Sequence, residues 1–204
     1  AYVTTTRPEL AVIDVDGAAL EDAIPIGAAG AGLGGTGTLE VTRDGRSVCV
    51  LTKRADLVVI DAASGEVRRT LPLGAAPQGM ALTPDGRAAW VAGFPANAVT
   101  LVDLSSGRVL DAVAVGERPL GIAVTPDGRW LYVANSGGSS VTVIDTAAGA
   151  VVTTIGVAPG PGALAVTRAG DFVLLAHTEA SALTVLDTRT RTVALTRTPT
   201  RTVT

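Results

Sequence analysis

His177, the chain's only histidine, is followed two residues later by Glu179. On an extended segment residues i and i+2 face one side, so this pair could share a proton or a cation. The remaining inventory for catalysis is thin. No CxxC completes a zinc site, no HExxH exists, and no GxSxG supplies an activated serine. One histidine also leaves no His-rich metal site and no haem pair, so neither a metal nor a cofactor is expected. A formal GxGxxG stands at Gly30, Gly32 and Gly35 inside GAAGAGLGGTG, residues 27–37. In a dinucleotide site such glycines open a helix after a parallel strand. Here strand-like runs flank the insert and no helical period occurs anywhere, so it reads as an elongated loop.

The elements that would position these residues come from a repeat. Asp61, Asp103, Asp145 and Asp187 each close an apolar run and stand 42 residues apart, while an earlier Asp14 lies 47 before Asp61. Gly86, Gly128 and Gly170 keep the same step. A period near 40 to 45 residues with strand-rich content predicts β-propeller blades. Within the clearest copy, GIAVT, WLYVAN, SVTVID and AVVTTIGV are four strands, A to D, joined by hairpins. The TPDG turns have their own mechanism: proline presets φ, Asp holds the backbone and Gly takes the positive φ. The repeated aspartates are scaffold by the same argument. Arg191 stands where other units have Gly65, Gly107 and Gly149, which predicts a strained corner of about 1 kcal/mol.

The predicted fold is all-β: four-stranded antiparallel blades at 38–74, 79–116, 121–157 and 163–196, with a partial blade at 1–27. The tail 198–204 could supply the strand that the first unit lacks, closing a ring of five. The rival is an open part of a larger ring. Ligands of such rings meet the face where B-to-C and D-to-A loops converge, and residues that break the repeat there are the candidates. They are Arg7, Lys53, Arg54, Phe94, Asn135, His177 and Glu179 on B-to-C loops, with Gln78, Glu117 and Arg118 on D-to-A loops.

YVAN at 132–135, with VTVID after it and PLGIAVTPDG before it, resembles the YVTN-repeat family of β-propellers over nearly the whole chain. That resemblance implies rings commonly of seven blades, so that the open rival would be part of a seven-bladed propeller. It further implies a non-catalytic binding or scaffolding module, often of secreted or cell-surface proteins, with an unidentified protein or small molecule at the loop face. It also implies a second possibility, a lactonase-like hydrolase. Such an enzyme requires His177, Glu179 or Glu117 turned toward one cavity.

Composition agrees with a packed domain: 47% hydrophobic and 17% charged residues over 204 positions. Aromatics are only 3%, so Val, Leu, Ile and Ala must fill the core. No apolar run is long enough for a membrane helix. A net charge of −3 argues against a nucleic-acid partner. Cys49 falls on a strand-B packing position and is expected to be a buried, inert thiol. The chain opens at Ala1 with neither an initiator Met nor a signal pattern, as an excised or processed domain would.

Overall fold

The computed structural model describes residues 1–4, 9–15, 19–25, 38–52, 54–74, 77–93 and 96–198. Among these the secondary structure is strand and turn only. Strand-forming runs of three to seven residues, most of them apolar and β-branched, give five consecutive antiparallel meanders. The first sheet holds β1 (Tyr2–Thr4), β2 (Glu9–Asp14) and β3 (Ala19–Pro25). The second holds β4 (Leu39–Val41), β5 (Ser47–Leu51), β6 (Asp56–Asp61) and β7 (Val67–Pro72). The third runs β8 (Pro77–Leu82), β9 (Ala88–Gly93), β10 (Ala98–Asp103) and β11 (Val109–Ala114). The fourth is β12 (Pro119–Val124), β13 (Trp130–Asn135), β14 (Ser140–Asp145) and β15 (Ala150–Gly156). The fifth is β16 (Pro161–Val166), β17 (Phe172–His177), β18 (Leu183–Asp187) and β19 (Thr192–Arg197).

The turns work as their residue types predict. Thr42, Thr83 and Thr125 donate their hydroxyls to Asp44, Asp85 and Asp127 at 2.7, 2.6 and 2.5 Å, and each carboxylate also takes a backbone N–H from the arginine two residues on. These bonds hold all three carboxyls below their ordinary range. At the C-to-D corner Asp61, Asp103 and Asp145 accept the N–H groups two and three residues ahead, and Gly65, Gly107 and Gly149 follow at φ 71°, 73° and 60°. Ser105 and Ser106 add their hydroxyls at Asp103 and lower it to about 2. Arg191 takes the same corner at φ 56° without being glycine, and its guanidinium lies 4.1 Å from the Trp130 ring centroid, an attraction that offsets the strain.

Alternate residues of each strand enter alternate interfaces. Val48 and Val50 pack back on Leu10 and Ile24, whereas Cys49 and Leu51 pack forward on Met80, Ala89 and Val91. The same division recurs at β13, where Leu131 and Val133 face the third sheet while Tyr132 and Ala134 face the fifth. Both faces being covered explains why the central strands read as continuous apolar runs. The inner strands β8, β12 and β16 approach to backbone contact. A Cβ added at Gly79 would lie 2.1 Å from the Leu120 carbonyl oxygen, and one at Gly121 would lie 2.2 Å from that of Gly162. Glycine is required there by close approach.

The fifth sheet has one covered face and one open face. Leu174 is 40% exposed, whereas its counterparts Cys49, Trp90 and Tyr132 are 0%, 1% and 0% exposed. Phe172 and Leu183 emerge beside it on that face. The five sheets therefore form an open arc, the alternative to a ring closed by the tail. The tail proposed as a closing strand lies, from residue 199 onward, outside the described residues.

Candidate functional site

His177 closes β17, and the alternation of the strand turns its ring into the sheet rather than toward the loop face. It is 5% exposed. Nε2 lies 2.8 Å from Thr184 Oγ1, and Nδ1 lies 3.3 Å from the Pro159 carbonyl oxygen. A carbonyl only accepts, so Nδ1 is the donor in that contact, and in the neutral ring Nε2 then accepts from the Thr184 hydroxyl. Thr184 in turn is 3.0 Å from Thr196 Oγ1. The ring thus ties the D-to-A loop and three strands together.

Asn135 does the same work one unit earlier. It is fully buried, and its Nδ2 donates to Ser140 Oγ at 3.0 Å and Thr142 Oγ1 at 2.9 Å. Among the described residues its Oδ1 has no hydrogen-bond partner. Beyond His177 the chain leaves the strand, so Glu179 does not share its face. It is exposed and lies over Gly160, whose added Cβ would meet Glu179 Cγ at 2.7 Å. The pair is not poised to share a proton or a cation.

Glu117 and Arg118 are exposed on the D-to-A turn that enters the fourth sheet, and they knit to that sheet's own B-to-C loop. The Glu117 carbonyl accepts from Gly137 N–H at 3.1 Å, and the Arg118 carbonyl accepts from Ser136 N–H at 3.0 Å and Ser136 Oγ at 2.8 Å. Arg118 sits at φ 54° with its N–H donated to Asn97 Oδ1 at 2.9 Å. Arg54 is exposed on the turn between β5 and β6. Arg7, Lys53 and Phe94, like the glycine insert, lie outside the described residues. Glu117 and Glu179 therefore belong to the loop clusters of two different sheets, while His177 bonds to β18 and to the D-to-A loop that enters its own sheet.

Among the described candidates, Gln78 lines the channel. Its carbonyl accepts from Thr38 Oγ1 at 3.1 Å, and the two residues border a cavity of about 280 Å³ between β4, β8, β12 and β16. A second cavity of about 460 Å³ opens at the A-to-B turn end of the same inner strands. Glu40 borders both. Leu82 donates its backbone N–H to the Glu40 carboxylate, but burial outweighs that bond and holds the carboxyl above its ordinary value. Across the strand pair stands Cys49, whose thiol burial, reinforced by the Glu40 charge, pushes up to about 12.

The family model described as Lactonase, 7-bladed beta-propeller, matches residues 38–204. The chain belongs to the lactonase seven-bladed β-propeller family. As a member of that family it has five described sheets, which agrees with the open arc. Solved structures share the fold, and two of them illustrate the likeness. One is titled Kuenenia stuttgartiensis Hydrazine Synthase, with TM-score 0.74, 24% identity, and 82% of this chain on 50% of that one. The other is titled Crystal Structure of Mitotic Checkpoint Complex, with TM-score 0.83, 13% identity, and 97% of this chain on 60% of that one. The chain thus spans between half and two thirds of each. Among curated proteins no sequence matches.

For this lactonase-family propeller, the loop-centred sequence reading passed over Glu40. The signal was present: aligned on the glycine of the A-to-B turn, Glu40 stands where the other units have Ala81, Ala123 and Ala165.

Proposed function

We propose that the domain is a non-catalytic binding or scaffolding module, of the kind the YVTN-repeat resemblance implies in secreted or cell-surface proteins. Its recognition surface is the face built by the B-to-C and D-to-A loops. One observation carries this reading. The single histidine is held by Thr184 and Pro159 as a corner pin, in the place where the preceding unit uses Asn135. A histidine so bonded has a hydroxyl and a carbonyl as its partners, not the carboxylates it would need for acid–base work.

Membership of a lactonase family favours a second reading, hydrolysis of a lactone at the channel mouth. Acid release from δ-gluconolactone and γ-butyrolactone in a pH-stat separates the two. The module reading expects no rate above the uncatalysed one. Turnover that disappears in Glu117→Gln or Glu179→Gln would overturn it and establish the hydrolase.

A further inference from the structure

Three departures from the repeat converge on the cavity at the A-to-B turn end of the channel. The first is Glu40, an acid where three sister units carry alanine. The others are Arg43 and Arg168, which replace the turn prolines Pro84 and Pro126 and line the same cavity from β4's and β16's turns. The turn does not need arginine, since Thr-Pro-Asp-Gly closes it in the two units between. The inner strand does not need an acid, since alanine fills that position elsewhere. The ion pairs of Arg46 with Asp44 and of Arg68 with Asp61 engage neither Glu40 nor Arg43 nor Arg168.

We propose that this end of the channel is a binding site for a small aminocarboxylate, its ammonium on the Glu40 carboxylate and its carboxylate between Arg43 and Arg168. The charges are segregated as a zwitterion requires: the two guanidinium groups are exposed at the mouth, and the acid is part-buried at the waist between the two cavities. A carboxyl held up by burial with one backbone N–H lacks a counter-charge, and a ligand ammonium supplies it. The site lies at the end of the inner strands opposite the D-to-A loops, so it stands or falls independently of the loop-face function.

The test is calorimetric titration of the full chain with 3-aminopropionate, 4-aminobutyrate and 6-aminohexanoate, against butyrate and butylammonium as single-charge probes. At least one aminocarboxylate is expected to bind about tenfold tighter than either single-charge probe, as one added charge-assisted contact gives. Glu40→Ala should reduce that affinity to the level of butyrate, and the double variant Arg43→Pro, Arg168→Pro to the level of butylammonium. Each substitution installs a sister unit's residue at its place, and an unchanged β-sheet circular-dichroism spectrum confirms the fold. Aminocarboxylates that bind no better than the single-charge probes, or an affinity unchanged in Glu40→Ala, would overturn the proposal.

Discussion

Replacing His177 separates a structural pin from a chemical group. In His177→Ala the 2.8 Å contact to Thr184 is lost, about 1 kcal/mol for a bond whose other partner keeps Thr196 as an alternative. The imidazole is 5% exposed, so its removal also leaves a void. A void of roughly 60 Å³ at about 24 cal/mol per Å³ adds about 1.4 kcal/mol. The sum is about 2 to 3 kcal/mol, or about 4 to 12 °C in Tm for a domain of this size. His177→Asn should behave differently. Its amide can reach Thr184 as Asn135 reaches Thr142, although the counterpart of Ser140 is Ala182, so one partner is missing. That variant should fall by about 1 kcal/mol or less. Thermal melts by circular dichroism measure both. An alanine variant that melts with the wild type, or an asparagine variant as damaged as alanine, would refute the pin.

The close approach of the inner strands predicts that Gly121→Ala costs about 2 to 3 kcal/mol, because its Cβ would sit 2.2 Å from the Gly162 oxygen, while Gly156→Ala, with nothing within 4 Å, stays within about 0.5 kcal/mol. Denaturant melts of the two variants should therefore differ sharply. Cys49, fully buried with its thiol near 12, should resist a disulfide reagent such as DTNB in the native protein and react stoichiometrically in guanidinium; native labelling within minutes contradicts the packing. Glu40→Ala should raise Tm at neutral pH. The folded carboxyl titrates above its ordinary 4.5, so the fold favours the protonated form, and wild-type stability is lost as pH rises from 4.5 through the folded value. The gain should shrink as the pH is lowered toward 4.5, and a gain independent of pH would remove the burial argument.

Much of the fold was legible because a repeat states the same local physics several times. Aspartate followed four positions later by glycine marks a corner whichever sheet it closes, and Arg191 at that glycine position could be identified as strained from spacing alone. The direction of His177 was not legible. It sits at a strand's last residue, where the ladder's alternation still governs the side chain, and only the partners Thr184 and Pro159 reveal that it turns inward. Glu117 and Glu179 could be placed on loops but not assigned to separate clusters, since that depends on each D-to-A turn bonding to its own sheet. Arg43 and Arg168 are 125 residues apart, and nothing short of the arc's curvature brings them to one cavity.

The inner-strand glycines carry a consequence for whatever sheet abuts β16. Gly79 and Gly121 admit a neighbour's carbonyl at a separation no methyl tolerates, but the same position in β16 is Ala163. Its methyl acts as a spacer, and a partner strand there must stand off or tilt outward relative to the two preceding junctions. The arc is thus not a stack of interchangeable wedges: its last junction has its own mating profile, which a copy of an earlier sheet would not fit unchanged.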